Sequence, residues 1–185
     1  MTATLDEIRT DIPARAATPL AGDLSLETLP GRDLDQDELR SLASYLALHP
    51  EQWRHHLAFD ADNRVYVSLH RDAHVDVWLL CWTPENDTGF HDHDVSSGAV
   101  AVVEGSLLEH NLAVGIETIE TLVGAGQVFS FGPDHIHRLT GAVHGAVSVH
   151  AYSPPLWRMG QYAVGSDGRL RRQSVSYAEE LRPID

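Results

Sequence analysis

The stretch Thr88–His110, TGFHDHDVSSGAVAVVEGSLLEH, decides how this chain is read. One residue separates His91 from His93, so on an extended strand both imidazoles face the same side and can address one ion, while Asp92 points away. A third histidine, His137 in GPDHIHRL, follows a glycine-bounded β run and completes a three-imidazole set if its strand lies beside theirs. His135, two residues earlier, is the competing donor. Three imidazoles suit zinc, copper, nickel or iron better than magnesium or calcium.

On both sides of this stretch the chain reads as β. RVYVSLHRD and HVDVWLLCW precede it, and IETIETLVG, GQVFSFG, HRLTGAV, GAVSVHAYS, QYAVG and GRLRRQSV follow. Each run is rich in valine, leucine or aromatic residues and is bounded by turn residues, a pattern that predicts an all-β sandwich or barrel. Hairpins are expected through VGIET and VGSDGRL, the second with Asp167-Gly168 suited to positive φ. One helix stands ahead of the strands, in DQDELRSLASYLALHP. Leu39, Leu42, Ala43 and Leu46 share a face, Asp35 caps the start with Glu38 three residues on, and Pro50 lies past the end. A further turn through EQWRHHL extends it. The prolines at 13, 19 and 30 and the lack of periodicity predict a mobile arm and loosely packed lead-in over residues 1–34. Residues 35–185 then form a single domain with the helix at its start and a hairpin at its end.

With 27 acidic against 13 basic residues, the formal charge of -14 would repel a phosphate backbone, so nucleic-acid binding is not expected. One cysteine, Cys81, builds no disulfide framework and reads as a buried core thiol. No apolar run has signal-peptide or membrane-spanning character, so a cytoplasmic protein without a membrane partner is expected. Monomer and homodimer both stay open.

The two histidine segments resemble the motifs of a cupin, a double-stranded β-helix or jelly-roll barrel. Thr88-Gly89 precede the HxH pair, Gly105 closes a strand pair, and His137 arrives eleven residues after Gly126. Gly98 stands where the cupin motif has a glutamate, and Gly141 replaces its terminal asparagine. Within cupins the chain is similar to the cysteine dioxygenase family from about Val65 to Pro155. The resemblance rests on Cys81-Trp82, HDH at His91–His93, EGSLLE, IHRL around His137, and SVHAYSPP from Ser148 to Pro155. It implies a mononuclear Fe(II) held by His91, His93 and His137, with a small thiol and dioxygen as the reacting partners. It also implies a Ser148, His150, Tyr152 relay beside the iron, in accord with the alternation that gives those three residues one strand face. Many mammalian members crosslink a cysteine to the tyrosine; Gly98 holds that position, so Tyr152 is expected to be unmodified.

Cysteine-specific members carry a carboxylate-pairing arginine two residues after a tyrosine. After Tyr66 this chain has Ser68 there, so Arg64, Arg71 or Arg158 must supply the cation, and Arg158 follows the strand as in mercaptopropionate-oxidising relatives. The leading expectation is oxidation of L-cysteine to cysteine sulfinic acid, with Tyr66, Arg64 and Arg158 as substrate-binding candidates. 3-Mercaptopropionate is the alternative substrate. A cupin that binds metal or ligand without catalysis is the alternative from another class, and a zinc hydrolase is a further one.

Overall fold

The computed structural model of the protein describes residues 17–112, 118–164 and 169–176. Its strands form two six-stranded antiparallel sheets. The first runs in the order β1 (Thr18–Pro19), β8 (Gln127–Phe131), β5 (Ser97–Glu104), β10 (Ala146–Ser153), β3 (Asp76–Trp82), β2 (Val65–Arg71). The second runs β12 (Leu170–Ser176), β11 (Arg158–Val164), β4 (Phe90–Asp92), β9 (His137–Gly141), β6 (Ser106–Asn111), β7 (Ile119–Gly124). From β4 to β6 and from β7 to β11 the chain steps between the sheets, winding strand pairs into the double-stranded β-helix that the motifs predict. The expected hairpin partners pair as β6 with β7 and β11 with β12, although the turns VGIET and VGSDGRL fall largely outside the described residues.

Helix α1 spans Gln36–Leu48. The Asp35 carboxylate accepts from the Asp37 and Glu38 amides, and Glu38 Oε2 accepts from the Asp35 amide at 3.0 Å, so orphaned N–H groups at its start are paired. Two short 3-10 turns, Pro50–Gln52 and Arg54–His56, continue it. Its apolar face is fully buried at Leu39, Leu42, Ala43 and Leu46, and it packs on the outer face of the first sheet with Trp53, Val77, Val147, Val149 and Ala151. Burying a leucine is worth about 1.5–3 kcal/mol, so these contacts anchor the helix firmly.

The first sheet is therefore covered on both faces. In β10 every residue is buried: Val147, Val149 and Ala151 face the helix, while Ser148, His150 and Tyr152 face the barrel interior. The unbroken apolar run of β5 has the same cause. Gly105 ends that run at φ +66, where a Cβ would come within 2.9 Å of the Ala146 Cα, so the chain can turn directly into β6.

Residues 18–34, the expected lead-in, are mostly exposed or half-buried but touch the sheet and the helix at particular points. Thr18 pairs with Val128 in β8, Leu20, Leu24, Leu26 and Leu29 pack against the helix-side core, and the buried Leu34 donates its amide to Ser153 Oγ at 2.8 Å. Leucines in an irregular segment give no period to read, so contact with the sheet supplies what local pattern does not. The expected mobile arm falls mostly on residues 1–16, outside the described residues.

Candidate metal centre and its cavity

Strand β4 pairs with β9 so that His91 lies directly opposite His137. Parity puts His93 on the same side, and the ring centroids of the three are 4.8 Å (His91–His93), 4.8 Å (His91–His137) and 5.1 Å (His93–His137) apart. Their donor nitrogens lie within 4.8 Å of one another, and all three residues are buried. His91 Nδ1 donates to the Gly89 carbonyl at 3.0 Å and His137 Nδ1 to Glu109 Oε1 at 2.9 Å, which turns both Nε2 atoms toward the common centre. His93 sits between the rings of Phe131 and Tyr152, at 4.5 and 5.3 Å, and neither of its nitrogens has a hydrogen-bond partner among the described residues. A fully buried imidazole without a partner is costly, and a metal ion meets that need; the group fits one. His135 does not join it. Its Nε2 binds Glu109 Oε1 at 3.0 Å and its ring stacks on Phe131.

Burial, followed by the neighbouring imidazoles, pushes His91 and His93 well below the usual histidine range. Burial, with His137 and Arg64 nearby, brings His150 down to about 3. These rings are neutral in the folded, metal-free chain but titrate near 6.5 once unfolded. Below about pH 6.5 the unfolded chain binds more protons, so stability is lost as pH falls, by about 1 kcal/mol per pH unit for each such ring. For His150 the window reaches down to about 3. The denaturation midpoint of metal-free protein is therefore expected to drop steadily between about pH 7 and pH 5; a flat profile would mean that the folded rings are protonated.

Asp92, on the opposite face of β4, is pinned from behind. It accepts from Arg172 Nε at 2.6 Å and Nη2 at 2.8 Å, Tyr162 Oη at 2.7 Å and the Gly160 amide at 3.1 Å. Burial would raise its pKa, but the bonds from Arg172 and Tyr162 hold it well below the carboxylate range. The hairpin β11–β12 thus braces the strand that carries His91.

In β10, Ser148 Oγ lies 2.8 Å from His150 Nε2, and His150 Nδ1 lies 3.1 Å from Tyr152 Oη. The Trp82 indole, a donor only, gives its proton to Ser148 Oγ at 2.9 Å. With the Ser148 hydroxyl donating to His150 Nε2, Nδ1 would carry the ring proton and donate to Tyr152, leaving the phenol proton to point into the cavity. Trp82 is a member of this line that sequence reading missed; CW was noted only as a motif. A line of polar groups on a strand that reads as buried on both faces is internally satisfied rather than solvated.

Gly98 pairs with Tyr152, and a Cβ there would overlap the Phe131 ring. Phe131 fills the space that a crosslinking cysteine would use. Gly98→Cys is expected to cost about 1–3 kcal/mol, as overpacking does, and to leave the tyrosine unmodified; mass spectrometry of tryptic peptides checks the second point and thermal melts the first.

The cavity beside the imidazoles has apolar walls of Trp78, Leu80, Leu139, Leu156 and Met159, with Arg64, Thr88, His91, His150 and Tyr152 as its polar lining. Arg64 lies over the Trp82 ring at 5.7 Å and donates to the Asp87 carbonyl at 3.3 Å. The other candidates lie elsewhere. Met159 faces the cavity, so its strand neighbour Arg158 faces outward; its side chain is 68% exposed and 3.7 Å from Asp94. Tyr66 is outside the lining, its ring 5.7 Å from that of Trp78. Arg71 is held by Asp76 and by the ring of Trp157. Ser68 is exposed opposite Trp78, whose indole occupies that wall.

Glu109 is the other residue that sequence reading passed over. Its parity with the buried Leu107 on β6 was the available signal: an acid at an inward position. Burial would raise its pKa, yet the bonds from His135 and His137 hold it at about 2, so it is ionised.

The sequence matches the family described as cysteine dioxygenase type I over residues 11–164. The brace from Arg172 lies beyond that match. Among solved structures the chain is similar to an uncharacterized Klebsiella pneumoniae protein with a double-stranded β-helix domain, at 13% identity over 64% of this chain and 91% of that one, TM-score 0.48. It is also similar to an RmlC-like cupin protein from Desulfovibrio desulfuricans, at 17% identity over 54% of this chain and 90% of that one, TM-score 0.45. Among the described residues no helix is long and apolar enough to cross a membrane.

Proposed function

Since the chain belongs to the cysteine dioxygenase type I family, we propose that it is an iron(II)-dependent thiol dioxygenase that oxidises L-cysteine to cysteine sulfinic acid. The observation that carries this reading is the convergence of three buried imidazoles beside a cavity that also holds an arginine and a tyrosine hydroxyl. His91, His93 and His137 would hold the metal, which when bound supplies a cation that favours the thiolate over the thiol and a meeting place for thiolate and dioxygen. Both oxygen atoms enter the product, RS⁻ + O₂ giving RSO₂⁻, so sulfur provides all the electrons and no external reductant is needed.

The residues around the ion have distinct tasks. Arg64 pairs the substrate carboxylate, whose burial between apolar walls would otherwise be costly. Trp82, Ser148 and His150 orient the Tyr152 hydroxyl so that it donates toward the reacting sulfur and oxygen. Trp78, Leu80, Leu139, Leu156 and Met159 exclude water. A second reading has an observation of its own: among the described residues no acidic side chain lines the cavity to pair a substrate ammonium. L-Cysteine would therefore bind with its amine uncharged, whereas 3-mercaptopropionate brings only the thiolate and carboxylate that the lining can meet.

Anaerobic loading with iron(II), then oxygen uptake with a panel of small thiols and product identification by mass, tests both. Uptake matched to thiol loss with a mass gain of two oxygens is expected, and the ratio of rates with L-cysteine and 3-mercaptopropionate ranks the substrates. Stoichiometric iron with no uptake for any thiol would favour a non-catalytic metal-binding cupin.

A further inference from the structure

We infer that Glu109 is a positioning residue that places a protein anion one hydrogen bond behind the metal, so that His137 acts as a stronger and more negative donor than the other two histidines. The inference rests on the three-histidine metal site proposed above. His137 Nδ1 donates to Glu109 Oε1 at 2.9 Å, and both side chains are 1% exposed, so the contact is dry and little screened. By contrast, His91 donates to a backbone carbonyl and His93 packs between two rings. The site is asymmetric in charge although its three donors are of one kind.

The arrangement answers a question that three neutral imidazoles raise. Iron sites with two histidines and a carboxylate carry a protein anion among the ligands; here the carboxylate stands outside the ligand set and acts through the imidazole. A dication, one thiolate and the Glu109 carboxylate sum to zero charge, while the substrate carboxylate is paired by Arg64. His135 adds a limit to the effect, because its Nε2 shares the same Glu109 oxygen at 3.0 Å and draws part of the charge away. The donor atoms of Glu109, His135 and His137 also lie within 4.8 Å of one another. The oxygen between the two rings already accepts two N–H protons, both of which a cation there would have to displace.

The test uses the full chain loaded with cobalt(II) or iron(II), without any thiol. Glu109→Gln keeps the shape and an accepting oxygen but removes the charge. It is expected to weaken metal binding by about 10- to 100-fold, shift the cobalt(II) absorption spectrum, and raise the Fe(III)/Fe(II) potential. Glu109→Asp should recover part of each. His135→Phe perturbs the packing comparably but leaves the whole charge to His137, so metal affinity should hold or tighten and the potential should fall. Wild-type affinity, spectrum and potential in Glu109→Gln would overturn the inference. So would a loss in His135→Phe as large as in Glu109→Gln, and this arm stands even if Glu109→Gln fails to fold. A wild-type chain that binds no metal would instead sink the metal site itself, a result distinguishable from both.

Discussion

His137→Ala is expected to lose metal and thiol-dependent oxygen uptake together. Apparent metal-binding free energies of about 10–16 kcal/mol, spread over about four ligands, give roughly 3 kcal/mol per ligand, or a loss of at least about a hundredfold in affinity. The effect exceeds that of any neighbouring substitution, because His137 supplies both a donor and the ring through which Glu109 acts. Its removal also takes one of two partners from a buried carboxylate, a cost of about 1–3 kcal/mol in stability. Metal analysis after dialysis and an oxygen electrode read the first two losses, and a denaturant melt reads the third. If the variant retained wild-type iron and turnover, the ion would lie away from both groups of donors that contain His137.

Arg64→Met should produce the next largest change, and one selective for substrate. The methionine keeps the apolar stem against Trp82 and removes the charge. Leaving a desolvated carboxylate without its cation costs about 2–5 kcal/mol, so kcat/KM for L-cysteine and 3-mercaptopropionate should fall by about 30-fold or more, mainly through KM. Cysteamine, which has no carboxylate, should be turned over as before. Arg158→Ala should leave all three substrates within about twofold, since that side chain points to solvent beside Asp94. The opposite pattern, with Arg158→Ala damaging only the carboxylated thiols, would return the anchoring role to the outward arginine.

The parts of the architecture that could be read along the chain are those governed by neighbours a few residues away. Asp35 and Glu38 cap α1 because capping chemistry is complete within four residues. His91 and His93 share a side, and Ser148, His150 and Tyr152 another, because side-chain parity along a strand is a local property of the backbone. The resemblance carried by HDH, IHRL and SVHAYSPP named the barrel. The contacts of residues 18–34 were illegible for the complementary reason: their half-buried leucines touch the sheet and helix, and nothing in their own spacing announces it.

What the linear order of residues could establish, then, is which side chains lie on one face of one element: three histidines in two segments, a polar line on β10, a capped helix ahead of the strands. Which faces meet was a matter for the folded chain. Register between β4 and β9 set His91 opposite His137 and left His135 to Glu109. The packing of Trp78 and Trp82 brought Arg64 rather than Arg158 to the cavity, and the approach of β6 to β9 put a buried carboxylate behind one imidazole. Such pairings join residues tens of positions apart, and their energies come from desolvation and charge in a shared interior, which no local pattern encodes.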